Sequence, residues 1–345
     1  MLTAAAIKAK ALDVGFDLCG IAPAIRHPKL GRLAEWIGDG RAGEMQYLRE
    51  SLDERSDPRA FLPTARSVIS VAVVYNTASA DGRTAAPGEV SIARYARGDD
   101  YHDVLRARLR ALVQWMADTA GPGLEALTCV DDGPVQERVY AEQAGLGWIG
   151  KNTCVINPKL GSWLFLAEIV TNAALDPDLP AQDQCGSCTR CLDACPTGAI
   201  VEPYVVDATR CLSYLTIEQR GDVAADLRPA VHEQVFGCDI CQDVCPWNRR
   251  AATSDDPAWQ PREGLEAPRL MDLCLRSDEA WRPLLRNSAM RRAGLRRLRR
   301  SLAYAAAHLP DSERRLALEA MRAQPSASHE SVQTAIRWAD QGGAD

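Results

Sequence analysis

Two short runs hold seven of the twelve cysteines. The first is Cys185-x2-Cys188-x2-Cys191-x3-Cys195-Pro196, and the second is Cys238-x2-Cys241-x3-Cys245-Pro246. Thiolates spaced this way on a tight loop can wrap one face of an iron–sulfur cubane. The fourth cysteine of such a run sits too far around to close it and reaches a second cluster. The second run lacks its leading cysteine, and Cys211 is the natural replacement. The crossed reading therefore assigns Cys185, Cys188, Cys191 and Cys245 to one [4Fe–4S] cluster. Cys195, Cys211, Cys238 and Cys241 make the other. Zinc also takes Cys-x2-Cys pairs, but the repeated x2 spacing and the two Cys-Pro endings are features of iron–sulfur runs. Two clusters close together pass single electrons; they do not name a substrate. Cys19, Cys129, Cys154 and Cys274 lie on apolar segments and read as buried structural thiols.

Two other patterns are weaker. Gly145-x4-Gly150-Lys151 begins like a phosphate-binding loop, but Asn152 stands where a magnesium-binding Ser or Thr belongs. The run also follows a helix and precedes a strand, the reverse of that motif. Its glycines still allow close approach of backbone to a partner surface. Asp100-x-His102 begins like the Asp-x-His-x-x-Gly motif of His-ligated cobalamin proteins, but Leu105 occupies the glycine position.

The elements that must hold these groups follow from the rest of the chain. Its 345 residues are 46% hydrophobic and 25% charged, ordinary for a globular protein of two or three domains. No run approaches the length of a membrane span. The N-terminus carries no long apolar core, so a reducing cytoplasm is the expected compartment. A net charge of −6 argues against bulk nucleic-acid binding but not against a local basic patch. Helices are predicted over 3–15, 29–39, 99–120 and 134–144, the last with Pro134 in its first turn. Strands are predicted over 16–22, 67–75, 127–131, 155–156 and 163–170, and a small-residue loop over 76–89. This alternation gives an α/β domain over 1–174. A Pro-rich linker near 175–180 leads to a ferredoxin-like two-cluster domain, 175–252. After a loop-rich stretch, residues 265–345 read as short stacked helix pairs, HEAT-like repeats.

Residues 130–152 carry a family resemblance. The combination of Asp131-Asp-Gly-Pro134-Val-Gln-Glu137-Arg138 with Ala144-Gly-Leu-Gly-Trp148-Ile-Gly-Lys151-Asn152 resembles the epoxyqueuosine reductases. Arg55-Ser-Asp-Pro-Arg59, Ile92-Ala-Arg94-Tyr-Ala96, Asp100-Tyr-His102, Gly161-Ser-Trp-Leu-Phe165, Arg286-Asn287 and the two cysteine runs also fit, so the resemblance covers nearly the whole chain.

The resemblance implies a base-off cobalamin on an α/β domain similar to that of reductive dehalogenases, beside the two clusters. It also implies reduction of the epoxide of epoxyqueuosine to queuosine in a tRNA anticodon loop. The electrons would come from a low-potential donor, and the protein would be a monomer with no membrane attachment. The family's acid falls on Asp131. An exposed aspartate titrates near about 3.9, so an acid in that role needs burial or a neighbouring carboxylate. Asp131 or Asp132 could instead cap the helix after it. Arg55, Arg94, Asp131, Arg138, Lys151 and Asn152 are candidate cobalamin contacts. Arg138 could also pair with Glu142. Arg296, Arg297 and Arg300, within the pairs 291–292, 296–297 and 299–300, are candidate tRNA phosphate contacts or a solvated face. The other readings are a dehalogenase-like reductase of a small molecule, typically made with a twin-arginine leader that is not visible here, and a pure electron-transfer protein.

Overall fold

A computed structural model describes residues 2–78 and 88–343, and the loop expected over 76–89 lies mostly outside them. Strand Ser67–Val74 is buried at every position, as an unbroken β-branched run requires at the centre of a sheet. It pairs antiparallel with Leu18–Pro23 on one side and with Leu164–Thr171 on the other, and Ala126–Cys129 closes the far edge. Strand and helix alternate as expected, but all pairing in this sheet is antiparallel.

The two faces of the sheet are covered differently. Ile21, Ile69, Val71, Ala167 and Ile169 pack under helices Ala4–Asp13 and Tyr101–Ala120. The long helix buries Leu105, Leu109, Leu112 and Met116 at helical spacing, is capped by Asp100 and ends at Gly121 with φ 78°. On the opposite face, Ala22, Val68, Ala72 and Val170 are roofed by helix Glu137–Gln143.

That helix starts later than predicted. Asp131 adopts the left-handed conformation, φ 56°, and its N–H donates to Glu137 Oε1 at 2.5 Å. The side chain closes the turn across 131–136, so Pro134 lies before the helix. Neither aspartate caps it: the N-cap is Gln136, with no side-chain bond.

In the cysteine-rich segment each run carries one short helix, Arg190–Asp193 and Ile240–Asp243, and the two pack together. The segment is stitched into the N-terminal part. Gln234–Phe236 pairs parallel with Ser91–Ile92, Trp36 donates to Val206 O at 2.6 Å, and Glu44 N–H donates to Tyr214 Oη at 2.7 Å. The predicted linker is pinned as well. Asp178 bonds Ile21 through both backbone and carboxylate and receives Lys8, covering the exposed side of an edge strand. Five longer helices follow: Leu270–Leu275, Asp278–Leu285, Gly294–Ala306, Asp311–Arg322 and Glu330–Asp340. Among the described residues no helix is long and apolar enough to cross a membrane.

Candidate active site

The neighbours of the cysteines fall along the crossed pattern, with Cys154 close to Cys211, Cys241 and Cys245 as well. Cys245 lies near Cys185 and Cys188, and Cys191 near Cys185 and Cys245. Cys238 lies near Cys211 and Cys195, and Cys241 near Cys238 and Cys211. Cys211 stands at the N-terminus of helix Leu212–Ile217, beside Cys195. Among the described residues no three His, Cys, Asp or Glu side chains converge on a single-ion site. An all-thiol donor set of four and four suits two cubanes. Further donors point at the sulfurs: the buried Trp148 Nε1 lies 3.5 Å from Cys185 Sγ, and Ala199 N–H donates to Cys195 Sγ at 3.3 Å. Cys154, read from sequence as structural, instead lies within hydrogen-bond reach of Cys241.

Three of the predicted cofactor contacts rivet the sheet domain to this segment. Lys151 Nζ donates to the carbonyls of Gly186 and Cys188 at 2.7 and 3.0 Å. Buried Asn152 donates to Cys241 O at 3.3 Å and accepts from Cys154 N–H. Arg94 donates to Asn76 and Asp243, both at 2.8 Å, sits 4.2 Å over the Trp163 ring, and its backbone N–H donates to Asp239. These polar groups therefore address the cluster loops. The nearby glycines serve packing: a Cβ on Gly147 would strike the carbonyl of Ile156 across hairpin Trp148–Ile149/Val155–Ile156. The surface approached by this glycine-rich run is the chain's own backbone.

Asp131 stands at the edge of the sheet domain, half exposed. Its Oδ2 accepts from Tyr101 Oη at 2.6 Å, and His102 Nε2 is 3.9 Å away. Tyr101 is stacked on Phe165 at 4.5 Å. Burial, then the Asp131 carboxylate, pushes its phenol well above its ordinary pKa, so it remains a donor. Tyr47, Tyr95 and Arg292 also lie within the field of Asp131. Arg292 donates to Glu218 at 2.7 Å, and Arg55 donates to Ser51 Oγ at 2.8 Å and acts on Tyr47. Tyr101 and His102 thus flank the Asp131 carboxylate, and Arg292 of the helical tail, tied to Glu218, acts on it through its charge.

Asp132 is differently placed. Burial alone would raise its pKa, but the Val130 N–H and the Arg106 guanidinium outweigh that and hold it below the usual carboxylate value. Arg138 does not pair with Glu142, which is taken by Lys29 and Ile149 N–H. It donates to Thr153 O at 3.0 Å, holding a β-branched residue at φ 65°. Such backbone costs about 1–3 kcal/mol and is characteristic of functional sites.

The arginines of the tail divide, and here the sequence reading needs correction. Arg300 is fully buried and donates to the carbonyls of Leu215, Gln219 and Gly221. It cannot reach a phosphate. Arg297 is spent on the carbonyls of Gln219, Arg292 and Ala293. Arg291, Arg292 and Arg296 are exposed. Alternating charge count could not separate these roles; the apolar positions Leu295, Leu298 and Leu302, which set the buried face, could. Arg300→Ala is expected to lower unfolding free energy by about 2–4 kcal/mol, since it orphans three buried carbonyls. Arg296→Ala should stay within about 0.5 kcal/mol in the same denaturant titration.

The paired cysteine runs, joined through a polar seam to the sheet domain that carries Asp131, define an iron–sulfur oxidoreductase. A family model for a 4Fe-4S double cluster binding domain matches residues 184–248, and the model "Epoxyqueuosine reductase QueG, DUF1730" matches residues 55–132. The epoxyqueuosine reductase of Gloeobacter violaceus is 45% identical over 312 residues, 87% of this chain and 95% of the relative. That of Pseudomonas aeruginosa is 41% identical over 97% of this chain and 93% of its own length. A crystal structure of an epoxyqueuosine reductase with an epoxyqueuosine-modified tRNA-Tyr stem loop superposes with TM-score 0.88 at 30% identity, covering 99% of this chain and 90% of that one. A Bacillus subtilis epoxyqueuosine reductase, described with its catalytic aspartate loop swung out of the active site, superposes equally well at 29% identity, with the same coverage. The chain belongs to the epoxyqueuosine reductase family.

Proposed function

We propose that the protein reduces the epoxide of epoxyqueuosine in a tRNA anticodon loop to the alkene of queuosine, in the cytoplasm. The observation that carries this reading is Asp131. It is a carboxylate on a strained loop, half exposed, oriented by Tyr101 and, among the described residues, without a Lys or Arg ion pair. Removing an epoxide oxygen requires protonation of that oxygen, and a positioned acid contributes about 10²–10⁴-fold. Asp132, held ionised by Arg106, is the wrong carboxyl for that task.

The clusters and a base-off cobalamin would supply low-potential electrons to carbon. The side chains around Asp131 suit such a corrin. Tyr47, Arg55 and Tyr95 offer donors for an amide-rich rim. His102 has Nδ1 at 2.7 Å from Asp100 and Nε2 turned toward Asp131, so it is not presented as a cobalt ligand. Lys151, Asn152 and Arg94 hold the cluster loops against the sheet domain, fixing the distance electrons cross. Anaerobically purified protein should contain about eight iron atoms per chain and bind one corrinoid. Zinc in place of iron, or no cobalamin absorption band after reconstitution, would contradict this.

We read the chain as three working parts, 1–174 for the acid and corrin, 175–252 for the clusters and 265–345 for RNA. The tail is read as HEAT-like because alternate helices, Leu270–Leu275, Gly294–Ala306 and Glu330–Asp340, lie side by side. The exposed Arg291 and Arg296 supply phosphate contacts, Arg292 being held by Glu218, while the modified base leaves the anticodon stack to reach Asp131. Arg291→Ala and Arg296→Ala should weaken tRNA binding and flatten its logarithmic salt slope by about 0.7 per lost contact. Unchanged slopes in both would make these arginines a solvated face.

A further inference from the structure

Epoxide reduction to an alkene breaks both C–O bonds, forms the C=C bond, and consumes two electrons and two protons as the oxygen leaves as water. The electrons arrive one at a time through the relay. Asp131 carries one proton. The second must come from elsewhere, and Asp131 must itself be recharged before it can deliver it.

The chain places an unusual group beneath the Asp131 loop. Glu168 lies in the middle of strand Leu164–Thr171, fully buried, in register with Ser70 on one side and Cys129 on the other. Its face of the sheet is otherwise apolar and is roofed by helix Glu137–Gln143. Both carboxyl oxygens of Glu168 are shut off from solvent, and the Ser70 hydroxyl, its partner across the ladder, lies close to them. The group facing it is the carboxyl of Glu137, close enough to share a hydrogen bond. Two carboxyls can bond only if one of them keeps its proton. Glu137 in turn accepts the backbone N–H of Asp131. The pair thus touches the loop that carries the acid.

We propose that Glu137 and Glu168 share a proton beneath the Asp131 loop and that this proton replenishes Asp131 between the two protonations of the leaving oxygen. This inference rests on the reaction assigned above. Both residues are positioning groups acting through Asp131. The surroundings favour a stored proton. Burial is the largest push upward on both acids; the next is Asp131 on Glu137 and Glu137 on Glu168. The groups facing the pair are Asp131, Asp132, Tyr101, Ser70 and Cys129, with Arg138 and, on Cys129, Arg55 as the cations. Arg138 is committed to Thr153 and does not neutralise the pair. The sign follows: the proton is held below the raised pKa of the pair and lost as pH climbs through it. The wild-type rate should therefore fall on the alkaline side.

Glu168→Gln tests this, because the amide preserves shape while removing one acid. Glu137 is then the one acid left of the pair, with no second carboxyl to share a proton with, and ionises at lower pH. The infrared spectrum of the resting protein in water and in D2O should show a protonated-carboxyl stretch near neutral pH in wild type that is lost in Glu168→Gln. In anaerobic single turnovers on an epoxyqueuosine stem loop, the alkaline limb of the rate should move to lower pH by one unit or more, with iron content unchanged. Glu137→Gln should shift it likewise. A pH profile in both variants that overlays wild type would overturn the proposal. So would the absence of a protonated-carboxyl band in wild type. A wild-type protein that carries the band but converts no epoxide would overturn the functional reading, and with it the use assigned to the proton.

Discussion

Asp131→Asn is expected to slow single-turnover reduction about 10²–10⁴-fold while iron content and corrinoid binding stay at wild-type levels. The amide keeps the acceptor for Tyr101 and tolerates the left-handed backbone at φ 56°, so the fold should survive. What disappears is the proton. Asp132→Asn is the matched control. That side chain is bonded to Val130 N–H and Arg106, so its loss should reach stability first. With its pKa depressed in the folded state, Asp132 stabilises above the unfolded value of about 3.9, and this contribution fades as pH drops through the lower folded value. Asp132→Asn should thus lower stability at neutral pH and leave the rate near wild type. The reverse ranking of the two variants in a rapid-quench assay would remove Asp131 from its role.

Cys211→Ser carries the second large effect. Cys211 stands outside both cysteine runs, yet it lies with Cys195, Cys238 and Cys241. Serine should reduce iron from about eight to about four atoms per chain, abolish one of two electron-spin signals and stop turnover. Cys154→Ser is its contrast. Cys154 touches Cys241 without belonging to either set, so iron should remain at about eight. Equal iron loss in the two variants would mean that the ligand sets are wrongly drawn.

The double cluster was legible because thiolate spacing is a local property: each tight loop gathers the sulfurs of its own run. Cys211 was legible only by elimination, since its approach depends on helix Leu212–Ile217 and not on spacing. The sheet was legible as strands but not as an order, because an apolar run such as 67–74 does not specify its neighbours. The roles of polar residues were least legible. Lys151, Asn152 and Arg94 are drawn by the family motif, yet their partners are carbonyls and carboxylates over 35 residues or more away, invisible to any window on the chain. Arg300 failed for a related reason. Long side chains can bury a guanidinium when backbone carbonyls await it, and the helix face that turns it inward is set by leucines, not by its own charge. Glu168 did leave a signal: an acid inside Leu-Phe-Leu-Ala-Glu-Ile-Val-Thr, a run apolar enough to be buried on both faces. A fully buried acid facing a second acid is a functional candidate on physical grounds alone.

The central claim is that this chain removes one oxygen atom from a modified base in tRNA. Mass spectrometry of nucleosides from an epoxyqueuosine stem loop, after anaerobic incubation with reduced, cobalamin-loaded protein, tests it most directly. The account predicts conversion of epoxyqueuosine to a nucleoside lighter by one oxygen, dependent on added cobalamin and lost in Asp131→Asn. Intact epoxide after incubation with protein holding both clusters and the corrinoid would contradict it.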